Sequence, residues 1–521
     1  MTGRPGKIIL VTFALLLLTA CHRAGAPATT AEATPKPQAV PGIAWFKGSV
    51  DDAFKTAKDE NKPLFFYWGA VWCPPCEEVR NTVFKSKRFI TLSRRFIPVY
   101  LDGDTDRAQA IGEKFGVKGY PTMIVFNPAG EEINRIPGGI DISRYNSILE
   151  LSLNRLRPTR MLLDLALHKP DELKPGDLTQ LAYYSWGQDH EVLSKDASPE
   201  IFKQLADLAA IKDPVESARF YMEYLYREFK AGTPEKPVKI AGAAERLTAI
   251  LNSDKQLLAC WDSLAYDPEL ANLVESSDAD KQLKTLWQDR ILAMRHDPSL
   301  VTIEQLAGWL PYIEYHVADG KTTLPPGMES KLEQDISAAN RAITNPFARQ
   351  ALVPQIAYIY SKAKQYDKAE KVLEAELDRA AAPWYFMADL GELAERRHKT
   401  DDAIAWYKKG WETAKGPATR FQWGAIYVRG LIRLEPKDHT RILDSAEALL
   451  KELQGPDEMF TGRNFRVLRA MDKKLQAWQT ASTRGAVATQ FTNHITLLCS
   501  KAKSGSTAKR NCDELLAGKS A

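Results

Sequence analysis

Apolar and polar positions along the chain fall into three regimes. Ile8 to Leu18 is an almost unbroken apolar run behind Arg4 and Lys7. From Gly42 to about Arg155 helical and strand periods alternate. Ser49 and Asp52 fit a helix start of the S-x-x-D kind, after which Val50, Ala53, Phe54 and Ala57 share one helical face. Pro63 to Gly69 (PLFFYWG) is continuously apolar, as a strand buried on both faces is. Ile97 to Leu101 predicts a second central strand, Ala108, Ile111 and Phe115 a short helix, and Thr122 to Phe126 a third strand. Asn127-Pro128-Ala129-Gly130 then turns the chain into Glu131 to Ile136, and Ser143 to about Arg155 closes with a helix. The order is helix, then β-α-β-α-β-β-α.

Beyond Arg157-Pro158 the strand signal fades and helical periodicity dominates. Between residues 350 and 416 the pattern repeats: Ala369 and Ala403, Leu373 and Tyr407, Ile356 and Leu390, and Ala357 and Gly391 each stand 34 residues apart. That spacing, with small residues where helices approach and large ones between, is the tetratricopeptide period; the alternative is an irregular helical domain with one accidental match. Residues 159–350 look helical without a clean register.

Composition narrows the reading. A chain of 521 residues exceeds one ordinary core, so two or more domains are expected. With 70 basic and 66 acidic residues and no Lys/Arg cluster interleaved with aromatics, nucleic acid is not an expected partner. The 8 histidines are scattered, without the spacing of a metal site.

The apolar run at the start is too short to span a membrane and reads as a secretory signal over residues 1–20. It ends in Leu18-Thr19-Ala20-Cys21, which resembles the lipobox of bacterial lipoproteins. That resemblance implies cleavage before Cys21 and its lipidation. Ordinary cleavage or an uncleaved anchor are the alternatives. His22 rather than Asp follows, which by the sorting habit of such lipoproteins favours the outer membrane. Residues 21–41 are rich in Ala, Thr and Pro and read as a tether.

The candidate chemistry is Cys73-Pro74-Pro75-Cys76 at a strand-to-helix turn. Disulfide exchange needs an attacking thiolate and a second sulfur within reach. A two-residue spacing puts both sulfurs in a first helical turn, where the helix N-terminus favours a thiolate on Cys73 and leaves Cys76 to resolve. Prolines are tolerated there because first-turn N–H groups lack helical partners. A CxxC alone also suits metal binding. Three companions favour redox work: Trp72 directly before Cys73, the strand before that, and Gly119-Tyr120-Pro121-Thr122 about 45 residues on.

These residues resemble the thioredoxin superfamily. The similarity is to the branch containing the C-terminal domain of the inner-membrane thiol–disulfide interchange protein DsbD. Ala44-Trp45, Lys58 to Pro63, Trp72 to Cys76, Val83-Phe84, Val99 to Asp102 and Gly119 to Thr122 carry it. The resemblance, which covers about a fifth of the chain, implies an α/β thioredoxin fold over residues 42–156; helical periodicity makes 157–521 an all-α region. It implies catalysis by Cys73 and Cys76, a cis proline at Pro121 against the dithiol, and client contacts through Trp72, Tyr120 and Pro121. One departure stands out: the buried acid usual in thioredoxins is replaced by Tyr67, and its basic partner would align near Pro98. Glu77 and Glu78 read as helix-dipole matching, with a proton relay as the alternative.

Pro74 and Pro75 remove N–H donors and Glu77 and Glu78 add negative charge, so the thiolate is weakly stabilised and a reductase or isomerase is expected rather than a strong oxidant. Cys260 sits in an apolar helical stretch and reads as buried and inert. Cys499 and Cys512 can pair in an oxidising compartment, or stay free in an unordered tail. Trp384, Trp406, Trp411 and Trp423 recur at helical spacings and read as packing. The expectation is a membrane-tethered module that exchanges disulfides with protein thiols, recharged by a membrane electron donor, with no cofactor and no metal, joined to a helical partner-docking region. Two rivals stay open: a lipoprotein scaffold with a vestigial dithiol, and a thiol reductant for cytochrome or copper-site assembly.

Overall fold

The computed structural model describes residues 42–517 apart from 139–141, 190, 195, 234–237, 319–322, 454 and 481–484. The signal, Cys21 and the whole tether therefore lie outside the described residues. Ser49 caps helix Val50–Glu60: its Oγ accepts the Asp52 N–H at 3.0 Å, and the Asp52 carboxylate accepts the Ser49 N–H at 3.0 Å. Val50, Ala53 and Ala57 are buried, and Phe54 meets Phe66 and Phe126 edge-on.

Four strands, β1 (Leu64–Gly69), β2 (Ile97–Asp102), β3 (Thr122–Phe126) and β4 (Glu132–Ile136), form one sheet in the order β2-β1-β3-β4. β1 runs parallel to β2 and antiparallel to β3. Helices cover both faces, so every residue of β1 is buried. Phe65 and Tyr67 point into one core with Val79 and Phe84; Phe66 and Trp68 point into the other with Ala57 and Ala108. Alternate side chains facing opposite cores account for the continuous apolar run. The apolar pattern does not predict the helix Lys87–Leu92, which lies between the helix of the cysteine motif and β2. It has six residues and buries Phe89 and Leu92, too few for a period to show.

A large all-helical region follows. It is joined to the sheet without a gap, since the core containing Phe65, Tyr67 and Tyr145 continues through Leu162 and Leu181. Thr159 and Gln180 both donate to the carbonyl of Ile133 in β4, at 2.9 and 3.0 Å. Further on, helices pair: Pro346–Lys362 with Tyr366–Glu374, Pro383–Arg396 with Thr400–Thr413, and Pro417–Leu434 with His439–Leu450. Ala369 and Ala403 are fully buried at matching positions. At Gly391 a Cβ would stand 2.4 Å from the Tyr407 ring, so close approach demands glycine there. The third pair begins 34 residues after the second (Pro383 to Pro417), but its first helix has 18 residues where Pro383–Arg396 has 14, so its second helix starts late. The longer first helix hides the third pair from a fixed-period reading.

The chain then returns to the sheet. Helix Gly462–Thr480 packs on helix Asp106–Lys114. Gly462 N–H donates to Glu113 at 3.0 Å, and Arg463 N–H to Gln109 at 2.8 Å.

Candidate active site

β1 ends at Gly69 and the chain turns through Trp72 into helix Pro74–Asn81, with Cys73 as its N-cap. Cys73 and Cys76 form a disulfide, and the Cys76 N–H points at Cys73 Sγ at 3.3 Å. Pro74 and Pro75 occupy the first turn, where they remove the other two donors that would face the sulfur. The Tyr120–Pro121 peptide bond is cis.

Tyr67 donates its hydroxyl to the Cys76 carbonyl at 3.3 Å and is buried beneath the motif. Burial drives its pKa far up, so it is a neutral hydrogen-bond donor. The β1–β2 register puts Tyr100, not Pro98, opposite Tyr67, and the two rings stack at 5.6 Å. The position aligned near Pro98 pairs instead with Phe65. Glu77 is buried and bonded to Arg80 at 2.9 Å. Burial outweighs that partner and pushes its pKa up to about 7. Glu78 faces a cavity, and burial, with Glu304 adding repulsion, pushes its pKa up to about 8. Neither glutamate therefore adds a full negative charge at the dithiol near neutrality. The negative charge expected from Glu77 and Glu78 is thus reduced by burial, which leaves the two missing proline N–H donors as the local feature that disfavours a thiolate.

Attack on a client disulfide needs an accessible sulfur, yet Cys73 is 3% exposed and Cys76 is fully buried. The cover is the helical region. Ala382, Trp384, Ala414 and Trp423 close one apolar cluster with Ala70, Val71, Trp72 and both cysteines. Trp423 meets Trp72 edge-on at 5.1 Å and donates its indole N–H to the Trp384 carbonyl at 2.7 Å. The Gln350 side chain, fully buried, bonds both the N–H and the C=O of Ala382.

A second group from far along the chain locks the other side. The Trp72 indole N–H donates to Asp104 at 2.9 Å, and Arg463 pairs with Asp104 at 3.0 Å. The Arg463 guanidinium lies 5.1 Å from the Trp72 ring and 5.6 Å from the Tyr120 ring. The Tyr120 hydroxyl donates to Gly103 at 3.0 Å, and Gln188 donates to the Pro121 carbonyl at 3.0 Å. The surfaces of Trp72, Tyr120 and Pro121 that the sequence reading gives to a client are thus engaged by the chain itself. Sequence reasoning finds the cysteines and their neighbours but misses Asp104, Gln188 and Arg463, which carry no motif. Trp384 and Trp423 do pack, as read, and what they pack on is the redox pair; Trp411, partly buried, packs against the same cluster and donates to Glu452 at 2.9 Å, and Trp406 packs against the main core. Cys260 is buried, and burial pushes its thiol up to about 12. Cys499 and Cys512 are bonded to each other between helices Gly485–Ser500 and Thr507–Ala517. Among the described residues no group of three or more His, Cys, Asp or Glu is placed to hold a metal ion.

Fold and site together define a thioredoxin-like α/β unit whose Cys-x-x-Cys pair fits a thiol–disulfide oxidoreductase, followed by a large helical region. Residues 50–152 match a family model described as a thioredoxin-like domain. Thioredoxin H4 of Arabidopsis thaliana is 32% identical over 84 residues, which are 16% of this chain and 65% of that protein. A thioredoxin H-type of Brassica oleracea is 28% identical over 89 residues, 17% of this chain and 67% of its own length. The chain thus spans about two thirds of these relatives. Among solved structures, a DsbH oxidoreductase aligns with 24% of this chain and 96% of its own, at 17% identity and a TM-score of 0.20.

Proposed function

We propose that this protein is a periplasmic, lipid-anchored thiol–disulfide oxidoreductase that reduces or isomerises disulfides in protein clients, with the helical region as its partner-docking part. The observation that carries the reading is the Cys73–Cys76 disulfide at the start of a helix, with the Cys76 N–H directed at Cys73 Sγ. In the reduced protein the Cys73 thiolate attacks a client sulfur, and the other client sulfur leaves as a thiolate. Cys76 then attacks Cys73 Sγ, releasing the client as a dithiol and re-forming the protein disulfide. Two electrons pass to the client, and a membrane electron donor restores the dithiol.

With both prolines lacking N–H groups, the helix N-terminus stabilises the thiolate weakly, which supports a reducing couple. The location rests on the signal-like start and Cys21; no helix among the described residues is long and apolar enough to cross a membrane.

The test is the reduction potential of the full chain, equilibrated against glutathione buffers. A value toward the thioredoxin end, roughly −270 mV, is expected. A value toward about −120 mV would overturn the direction of electron flow. No measurable couple would favour the scaffold reading. Cys76→Ser is expected to trap a client as a mixed disulfide, and Cys73→Ser to trap none. Cys21→Ser is expected to move the protein from the membrane to the soluble fraction.

A further inference from the structure

Beside the motif, between helices Pro74–Asn81, Pro346–Lys362 and Pro383–Arg396, lies an open cavity of about 410 Å³. Its wall includes both motif prolines, so it adjoins the attacking cysteine in the chain. Tyr266, Tyr358 and Tyr385 supply ring surface, and Glu78 and Asp389 supply carboxyls.

The charges do not balance. The two basic residues of the wall are already engaged: Lys362 with Glu314 at 2.9 Å, and Arg396 with Glu392 at 2.7 Å. Neither Glu78 nor Asp389 has an ion pair or side-chain hydrogen bond among the described residues. Each instead feels a like charge, Glu304 for Glu78 and Glu392 for Asp389, and burial pushes both carboxyls up to about 8. Unpaired half-buried carboxyls cost stability and persist where an incoming group supplies the counter-charge. Tyrosine faces with adjacent carboxyls suit a cation, through ring quadrupole and charge together.

We infer that this cavity receives a lysine or arginine side chain of the client polypeptide, close in the client's sequence to the cysteine that Cys73 attacks. The inference rests on the oxidoreductase reading and adds a substrate class to it: disulfides flanked by a basic residue. A long cationic side chain can lay its methylene stem along Pro75 and the tyrosine rings while its head reaches Glu78 and Asp389.

The test uses the reduced full chain and three short cysteine peptides, each a mixed disulfide with thionitrobenzoate. They differ in one residue near the cysteine: arginine, alanine or glutamate. Release of thionitrobenzoate is followed above pH 8, where both carboxyls are largely ionised. The arginine peptide is expected to react about five-fold faster than the alanine peptide, as about 1 kcal/mol of charge pairing gives, and the glutamate peptide more slowly than either. In Asp389→Asn, and separately in Glu78→Gln, the arginine-to-alanine ratio is expected to fall toward one. Equal rates in the unaltered protein, or a ratio that both variants leave intact, would overturn the inference while leaving the redox chemistry standing. No release from any peptide, by the unaltered protein or by Trp423→Ala with its cover removed, would overturn the oxidoreductase reading and the inference with it.

Discussion

Trp423 stands edge-on against Trp72, ring centroids 5.1 Å apart and planes at 73°, beside the Cys73–Cys76 disulfide. One ring belongs to the turn that carries the redox motif; the other comes from a helix some 350 residues further along. Edge-to-face aromatic pairs add about 0.5–1.5 kcal/mol beyond their burial. This contact covers the sulfur with the helical region, so on the proposed function a protein client reaches Cys73 only if that cover parts.

Trp423→Ala removes that cover. The lost packing is expected to cost about 3–5 kcal/mol. The functional readout is separate: dithiothreitol is expected to reduce the Cys73–Cys76 bond several-fold faster in the variant, followed by alkylation and mass shift. Equal rates would show that the helical region does not limit access.

Arg463 and Asp104 form the second tie, with side chains only 10% and 6% exposed. Arg463→Met strands a buried carboxylate with the Trp72 indole as its remaining partner, at an expected cost of about 3–5 kcal/mol. Adding Asp104→Asn is expected to recover part of that loss, because the uncompensated charge is removed. Urea unfolding of the single and double variants checks both statements.

Glu78 makes stability depend on pH. Its pKa in the folded protein is about 8, against an ordinary value of 4.5, so the folded state holds the proton more tightly. Its contribution is fully present below pH 4.5 and is lost as pH rises through 8. Glu78→Gln cannot ionise. Its Tm relative to the unaltered protein is therefore expected to rise between pH 5 and pH 9, in melts at matched ionic strength. A flat difference would mean that the carboxyl is better solvated than its surroundings indicate.

Cys499 and Cys512 are 13 residues apart. Closing a loop of that size contributes roughly 3 kcal/mol by the loop-entropy argument. Cys512→Ser is expected to lower the thermal stability of the C-terminal helices by about that amount, seen as earlier proteolysis near Phe491 on heating. Cys260 is expected to escape alkylation in the native protein, since its thiol is buried and its pKa is pushed up to about 12.

The sequence by itself determined the sheet unit and its chemistry. Ser49 and Asp52 mark the first helix, Leu64 to Gly69 the central strand, Thr122 to Phe126 the third, and Trp72 to Cys76 with Pro121 the dithiol site. These signals are local: a cap, a period or a motif lies within a few residues and needs no distant partner. The helix Lys87–Leu92 escaped because six residues hold less than two turns. The third helix pair escaped because its first helix, Pro417–Leu434, is four residues longer than Pro383–Arg396 and so carries His439 past the 34-residue period. Tertiary structure alone decided that Cys73 is covered, that Tyr100 faces Tyr67, that Arg463 pairs with Asp104, and that Glu78 and Asp389 share a cavity. Each joins residues with no common period or motif, and burial, which sets both access to the sulfur and the charge of those carboxyls, exists only once distant helices pack against the sheet.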